Sequence, residues 1–138
     1  MTHQKSSPFA DPSAISSYVE DTPRKVPGLP DLHRMAMLLL AEHAPSAAHI
    51  LIVGAGGGME TRALAEAQPD WRFTGVDPSP AMLDLARRTL APVADRVELL
   101  EGAIDAAPLG PFDGATCILT LHHIERDERL RTLREIRR

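Results

Sequence analysis

An α/β fold built on a parallel sheet is what this 138-residue chain predicts, and three observations carry the prediction. From Ala48 onward, short apolar runs alternate with segments of helical periodicity. The first run, Ile50-Leu51-Ile52-Val53, stops abruptly at a cluster of glycines, Gly54, Gly56, Gly57 and Gly58. The second run closes on an acid, Asp77, just before a proline-led helix. Strands that alternate with helices are joined by crossovers, and crossovers make neighbouring strands parallel.

The elements follow in order. Residues 1–47 form a proline-punctuated helical lead-in, holding six of the twelve prolines. Asp11-Pro12 has the form of an N-cap followed by proline at the first helical position, with Ile15, Tyr18 and Val19 on one face. Thr22 to Pro30, with three prolines and a glycine, is expected to be a loop. Leu32, Met35, Leu38 and Leu39 mark a second helix that ends near Pro45. Residues 48–138 form the core domain. His49–Val53 is the first strand, and a helix around Glu60–Gln68 follows. Trp71–Val76 is the second strand, and Pro80 opens a helix that runs to about Leu90. Arg96–Leu100 is the third strand and Ala115–Thr120 the fourth. A last helix bears Leu130, Leu133 and Ile136. The fold class is therefore a Rossmann-like parallel sheet flanked by helices.

Composition excludes several functions. The chain is 43% apolar and 25% charged, ordinary for a soluble globular domain. Its aromatics are Phe9, Tyr18, Trp71, Phe73 and Phe112, too few and too scattered to stack on single-stranded nucleic acid. A net charge of −4 argues against a dedicated nucleic-acid binder. The arginines at 126, 129, 131, 134, 137 and 138 are interleaved with Glu125, Asp127, Glu128 and Glu135, which reads as a solvated helix face with i, i+4 pairs. The single cysteine, Cys117, rules out an intrachain disulfide and fits a reducing compartment. No apolar run reaches the roughly 18 residues of a membrane span, and the first residues lack a secretory core. A cytoplasmic location without membrane contact is expected.

The chemistry concentrates where strands end. Glycine lets the turn after the first strand adopt positive φ and leaves no Cβ between backbone and ligand. Its amides and the following helix N-terminus suit an anion such as a carboxylate. The spacing is G-x-G-x-G, and Met59 occupies the place where the dinucleotide fingerprint has its third glycine. That favours S-adenosyl-L-methionine (SAM) over a nicotinamide dinucleotide. Asp77 can accept from both ribose hydroxyls, although Asp77 or Ser79 capping the helix explains the same residues. Pro78 follows it, and Met82 either covers an adenine face or simply fills core. Ala103 and Ile104 offer backbone to the adenine edge, with Asp105 accepting from its amine or solvated in a loop. Leu119, His122 and His123 close the fourth strand beside the expected methyl position. The two histidines are the titratable candidates for a general base, unless one packs and the other is solvated. Adjacent strand residues point to opposite faces, so this pair is not expected to hold a metal. No G-x-S-x-G elbow and no G-K-[ST] is present.

Together these segments resemble the class I SAM-dependent methyltransferases from Ala48 onward. Val53-Gly54-Ala55-Gly56-Gly57-Gly58 matches that family's glycine motif and Gly75-Val76-Asp77 its acidic one. Phe112-Asp113 through Leu121-His122-His123-Ile124 is similar to its fourth motif in small-molecule enzymes. The resemblance implies Gly54, Ala55, Gly56, Gly58, Asp77, Pro78, Met82, Ala103, Ile104, Asp105 and Leu119 around the cofactor, and a small-molecule methyl acceptor. The Arg24-Lys25-Val26-Pro27-Gly28-Leu29 segment is similar to a V-P-G-Tyr loop of carboxy-SAM synthases, with Leu29 at the tyrosine. Two family acids are replaced, by Ile52 before the glycines and by Ala103 after Gly102. The family continues with R-x-L-K-P-G-G, a fifth strand and an antiparallel pair. The expectation is a domain shortened after its fourth strand and helix, or an oligomer covering an apolar edge from Ala115 to Leu121. A SAM-binding but catalytically incomplete module and an NAD(P)-dependent oxidoreductase are the alternatives.

Overall fold

The computed structural model describes residues 17–138, so the helix start at Asp11-Pro12 lies outside the described residues. Helix α1 (Tyr18–Lys25) is followed by α2 (Leu29–Ala41), β1 (His49–Val53), α3 (Met59–Ala67), β2 (Arg72–Asp77), α4 (Pro80–Thr89), β3 (Val97–Glu101), β4 (Gly114–Thr116) and α5 (Arg126–Arg137). Short 3-10 turns occupy Ala91–Arg96, Ile104–Ala106 and Leu121–His123.

The four strands run parallel in the order β3-β2-β1-β4. Successive residues of β1 face opposite sides, as the pleat requires. Ile50 and Ile52 join Leu64, Ala65, Trp71 and Phe73 in one core cluster, with Met37 and Leu40 of α2 packed against it. Leu51 and Val53 join Val76 and Ile104 in a second cluster, which Ile136 of α5 helps to cover. The sheet is thus buried on both faces, which explains why its central strand is continuously apolar. The C-terminal end of α3 is fastened by Arg96, whose guanidinium donates to the carbonyls of Ala65, Gln68 and Trp71 at 3.0 Å each.

Four expectations need correction. The Thr22–Pro30 stretch is mostly helix, and only Val26–Gly28 links α1 to α2. Pro30 falls in the first turn of α2, where its missing N–H costs nothing. Pro23 lies inside α1, where the Thr22 hydroxyl donates to the Tyr18 carbonyl at 2.6 Å. Second, β4 is three residues long rather than running to Thr120. Beyond Val53 the chain turns to β2, with Gly54 and Ala55 donating to the Val76 carbonyl, so β1 offers nothing further to pair with. The apolar edge expected from Ala115 to Leu121 is correspondingly shorter.

The helix faces are the third correction. Leu130 and Leu133 of α5 are 54% and 46% exposed, as are Met35, Leu38 and Leu39 of α2 to similar degrees. The buried positions are Leu29 and His33 on α2 and Thr132 on α5, with Met37, Leu40 and Ile136 packed partly buried against the core. Fourth, the ion pairs on α5 are spaced i, i+3, Arg131 with Glu128 and Arg138 with Glu135, rather than i, i+4. Among the described residues, no helix is long and apolar enough to cross a membrane.

Candidate active site

The register brings the strand ends together: Val53 lies opposite Val76, Asp77 opposite Glu101, and Ile52 opposite Thr116. A cavity of about 510 Å³ opens over these ends, a size ordinary for a small-molecule site. Gly54, Ala55, Gly56, Asp77, Pro78, Met82, Ala103, Ile104, Leu119 and His123 all line it. The sheet therefore gathers the four segments that the sequence singled out.

The glycine turn is tightly built. Gly54 has φ +77°, and a Cβ there would fall on the Thr120 side chain. Its amides are partly committed: Gly54 and Ala55 donate to the Val76 carbonyl, Gly58 to that of Ala55, and Gly56 to the Asp77 carboxylate. Among the described residues, the amides left without a partner at the open end of α3 include those of Gly57, Met59 and Glu60. Within the turn, the amides free for an anion are therefore at that end and not along its whole length.

Asp77 is buried and ties two turns together. Its Oδ2 accepts from Gly56 N–H and its Oδ1 from Ser79 N–H, both at 2.9 Å. A carboxylate has about four lone-pair positions, so two remain. The cap of α4 is Ser79, whose Oγ accepts from Met82 N–H at 3.2 Å. Met82 is both buried core and cavity wall. Ala103 and Ile104 stand at the 3-10 turn after β3, held near the site by Gly102 N–H donating to the Asp77 carbonyl at 3.0 Å.

Three candidates sit off the cavity wall. Gly58 is the N-cap of α3, packed against Leu90 and Ala86. Asp105 is gripped by Arg131 through bonds of 2.7 and 3.1 Å, which hold its carboxyl below the usual range. His122 lies beside His123 with ring centroids 3.9 Å apart, not among the lining residues. Both histidines occupy a 3-10 turn rather than a strand, so they adjoin instead of pointing to opposite faces. Among the described residues, no trio of His, Cys, Asp or Glu is placed to hold a metal. Burial, then the neighbouring His122, lowers the pKa of His123, while Asp77 raises it. Leu119 adopts φ +52°, a left-handed conformation that costs a branched side chain about 1–2 kcal/mol.

Among the lining residues that no sequence motif marked are Tyr18, His33 and Glu60. Tyr18 of α1 lays its ring against Gly57, and burial raises its pKa. His33 of α2 is buried, which lowers its pKa. Glu60, in the first turn of α3, is 8% exposed, and burial pushes its carboxyl up to about 7 despite partial relief from the Thr116 hydroxyl. Tyr18 and His33 lie on helices that precede every motif. Glu60 reads locally as an ordinary first-turn acid.

An open parallel α/β sheet with a glycine turn, an acid at the next strand end and a cleft across both defines an adenosine-type cofactor domain. A family model described as a methyltransferase domain matches residues 50–138, and the chain belongs to that family. It is a class I SAM-dependent methyltransferase domain. The chain is 30% identical over 123 residues to a carboxy-S-adenosyl-L-methionine synthase of Chromohalobacter salexigens, covering 86% of this chain and 46% of that protein. It is 35% identical over 85 residues to a ribosomal RNA small subunit methyltransferase G of a Nocardioides species, covering 61% and 34% respectively. The SAM-bound structure of CalS10, an amino pentose methyltransferase of Micromonospora echinaspora, aligns at TM-score 0.61 and 30% identity, over 74% of this chain and 42% of that one. The chain spans less than half the length of the curated relatives it matches. The Val26-Pro27-Gly28 segment links α1 to α2 and leads into Leu29, which lines the cavity.

Proposed function

We propose that this chain forms the donor-binding part of an enzyme that transfers a methyl group from SAM to a small-molecule acceptor. One observation carries the reading: a single cavity joins the glycine turn, Asp77, Ala103-Ile104 and the Leu119–His123 segment. The residues suit the cofactor. The open amides of Gly57, Met59 and Glu60 favour its carboxylate, and the spare lone pairs of Asp77 suit ribose hydroxyls. Met82 and Ile104 offer apolar contact to a purine, with Ala103 beside them. Asp105, committed to Arg131, contributes by fixing the 3-10 turn after β3 against α5.

When bound, SAM supplies an electrophilic methyl on a sulfonium. The protein's part is to position donor and acceptor in line and exclude water, which can supply most of the acceleration. His123, whose pKa burial lowers, lines the cavity where a base for an acceptor that must lose a proton would stand.

Charge around the cavity favours a small acceptor over RNA. Glu125 and Glu128 lie on its wall, and the wall's cation, Arg131, is bound to Asp105 and Glu128. A phosphate backbone needs free cations there. A relative that methylates ribosomal RNA supplies the contrast. Incubation with methyl-labelled SAM, a panel of small hydroxyl and amine acceptors, and small ribosomal subunits tests the reading. Label in a small molecule is expected; label only in RNA contradicts it. The second reading is a SAM-binding module that transfers no methyl group. It predicts SAM uptake without methyl release to any acceptor.

A further inference from the structure

We propose that Glu60 receives the α-ammonium of the donor's amino-acid end, an inference that rests on the SAM reading above. Glu60 stands in the first turn of α3 and lines the cavity beside the open amides of Gly57 and Met59. Its Oε1 is fully enclosed and has no hydrogen-bond partner among the described residues. The nearby Thr116 Oγ1 is likewise without a well-formed bond. A buried carboxylate left unpaired is costly, and folds retain one where something else pairs with it.

Among the described residues, none forms an ion pair with Glu60. Cys117 beyond β4 lies near it, and the cavity wall also carries Tyr18, His33, Asp77, His123, Glu125, Glu128 and Arg131, of which Arg131 is already paired with Asp105 and Glu128. The acids add negative charge, and burial keeps His33 toward its neutral form. The missing cation therefore comes with the ligand.

Position selects the ammonium. A zwitterionic amino-acid end carries its ammonium and carboxylate on one carbon, so a site for it needs donors and an acid side by side. The open amides and Glu60 provide both within one helical turn.

The test uses S-adenosylhomocysteine, which lacks the sulfonium, and its analogue without the α-amino group. Calorimetric titration of the wild-type chain is expected to show about tenfold or greater loss of affinity when the amino group is removed. Glu60→Gln should bind S-adenosylhomocysteine about tenfold more weakly and scarcely distinguish the two ligands. Glu60→Asp, which keeps the charge but withdraws it, should fall between and serves if the glutamine variant does not fold. A variant that binds like wild type, or that still prefers the amino compound as strongly, overturns the assignment of Glu60. Equal wild-type affinity for both ligands does the same. A wild-type chain that takes up neither ligand overturns the SAM reading itself.

Discussion

Asp77 holds the glycine turn and the start of α4 to the same carboxylate, so its removal has two effects. Asp77→Ala is expected to weaken SAM binding at least tenfold, about 1.4 kcal/mol, through lost charged hydrogen bonds. Orphaning two buried amides should also lower stability by about 2 kcal/mol. Titration calorimetry on a folded variant checks the first effect, and unchanged affinity removes Asp77 from the site. Glu60 gives a pH signature. Its folded pKa of about 7 exceeds the unbound value of 4.5, so its contribution to stability is complete below 4.5 and is lost as pH rises through 7. Glu60→Gln lacks that loss and should gain on wild type by about 3 kcal/mol at pH 8, an order-of-magnitude figure, with the gap closing toward pH 4.5. Denaturant titration across that range tests it; parallel profiles contradict it. The sequence made Asp77 legible because its chemistry lies within one contiguous motif. It concealed Glu60, because an acid becomes buried there only when the end of β4 folds over it.

At the level of elements, turn and strand chemistry near the sheet was easier to read than helix packing. The five-residue β1 matches its expected bounds, since a continuous apolar run ending in glycine has few alternatives. The Thr22–Pro30 stretch is mostly helix where a loop was expected, because Pro30 occupies a helix's permissive first turn. The exposed faces of α2 and α5 escaped notice for a related reason: periodicity identifies an apolar stripe but not what covers it. Arg96 shows an element held by a residue outside it. Its guanidinium satisfies three carbonyls around the end of α3, where a cation also complements the helix dipole. Arg96→Met should therefore cost about 2 kcal/mol in thermal or denaturant unfolding while leaving SAM affinity nearly unchanged. A change below the noise of the unfolding curves would show those bonds to be replaceable by water.

For the whole molecule, the strand order places β1 and β2 at the centre and their carboxyl ends beneath one cleft. The sheet leaves β4 at an edge, and leucines stand exposed on α5. Self-association through that edge is expected, with sedimentation velocity showing species larger than a monomer as concentration rises. A boundary that stays monomeric throughout contradicts it. The fold and the cleft's location were legible because alternation of strand and helix leaves little topological choice. The acceptor was not, because no motif in the chain carries acceptor chemistry. The account as a whole depends on where an adenosyl ligand lies. A crystal structure of the chain with S-adenosylhomocysteine measures this most directly. The amino-acid end should rest against the open amides of Gly57, Met59 and Glu60, with the ribose on Asp77. A cleft that stays empty at saturating ligand, or one that holds a dinucleotide's pyrophosphate on the glycine turn instead, would contradict it.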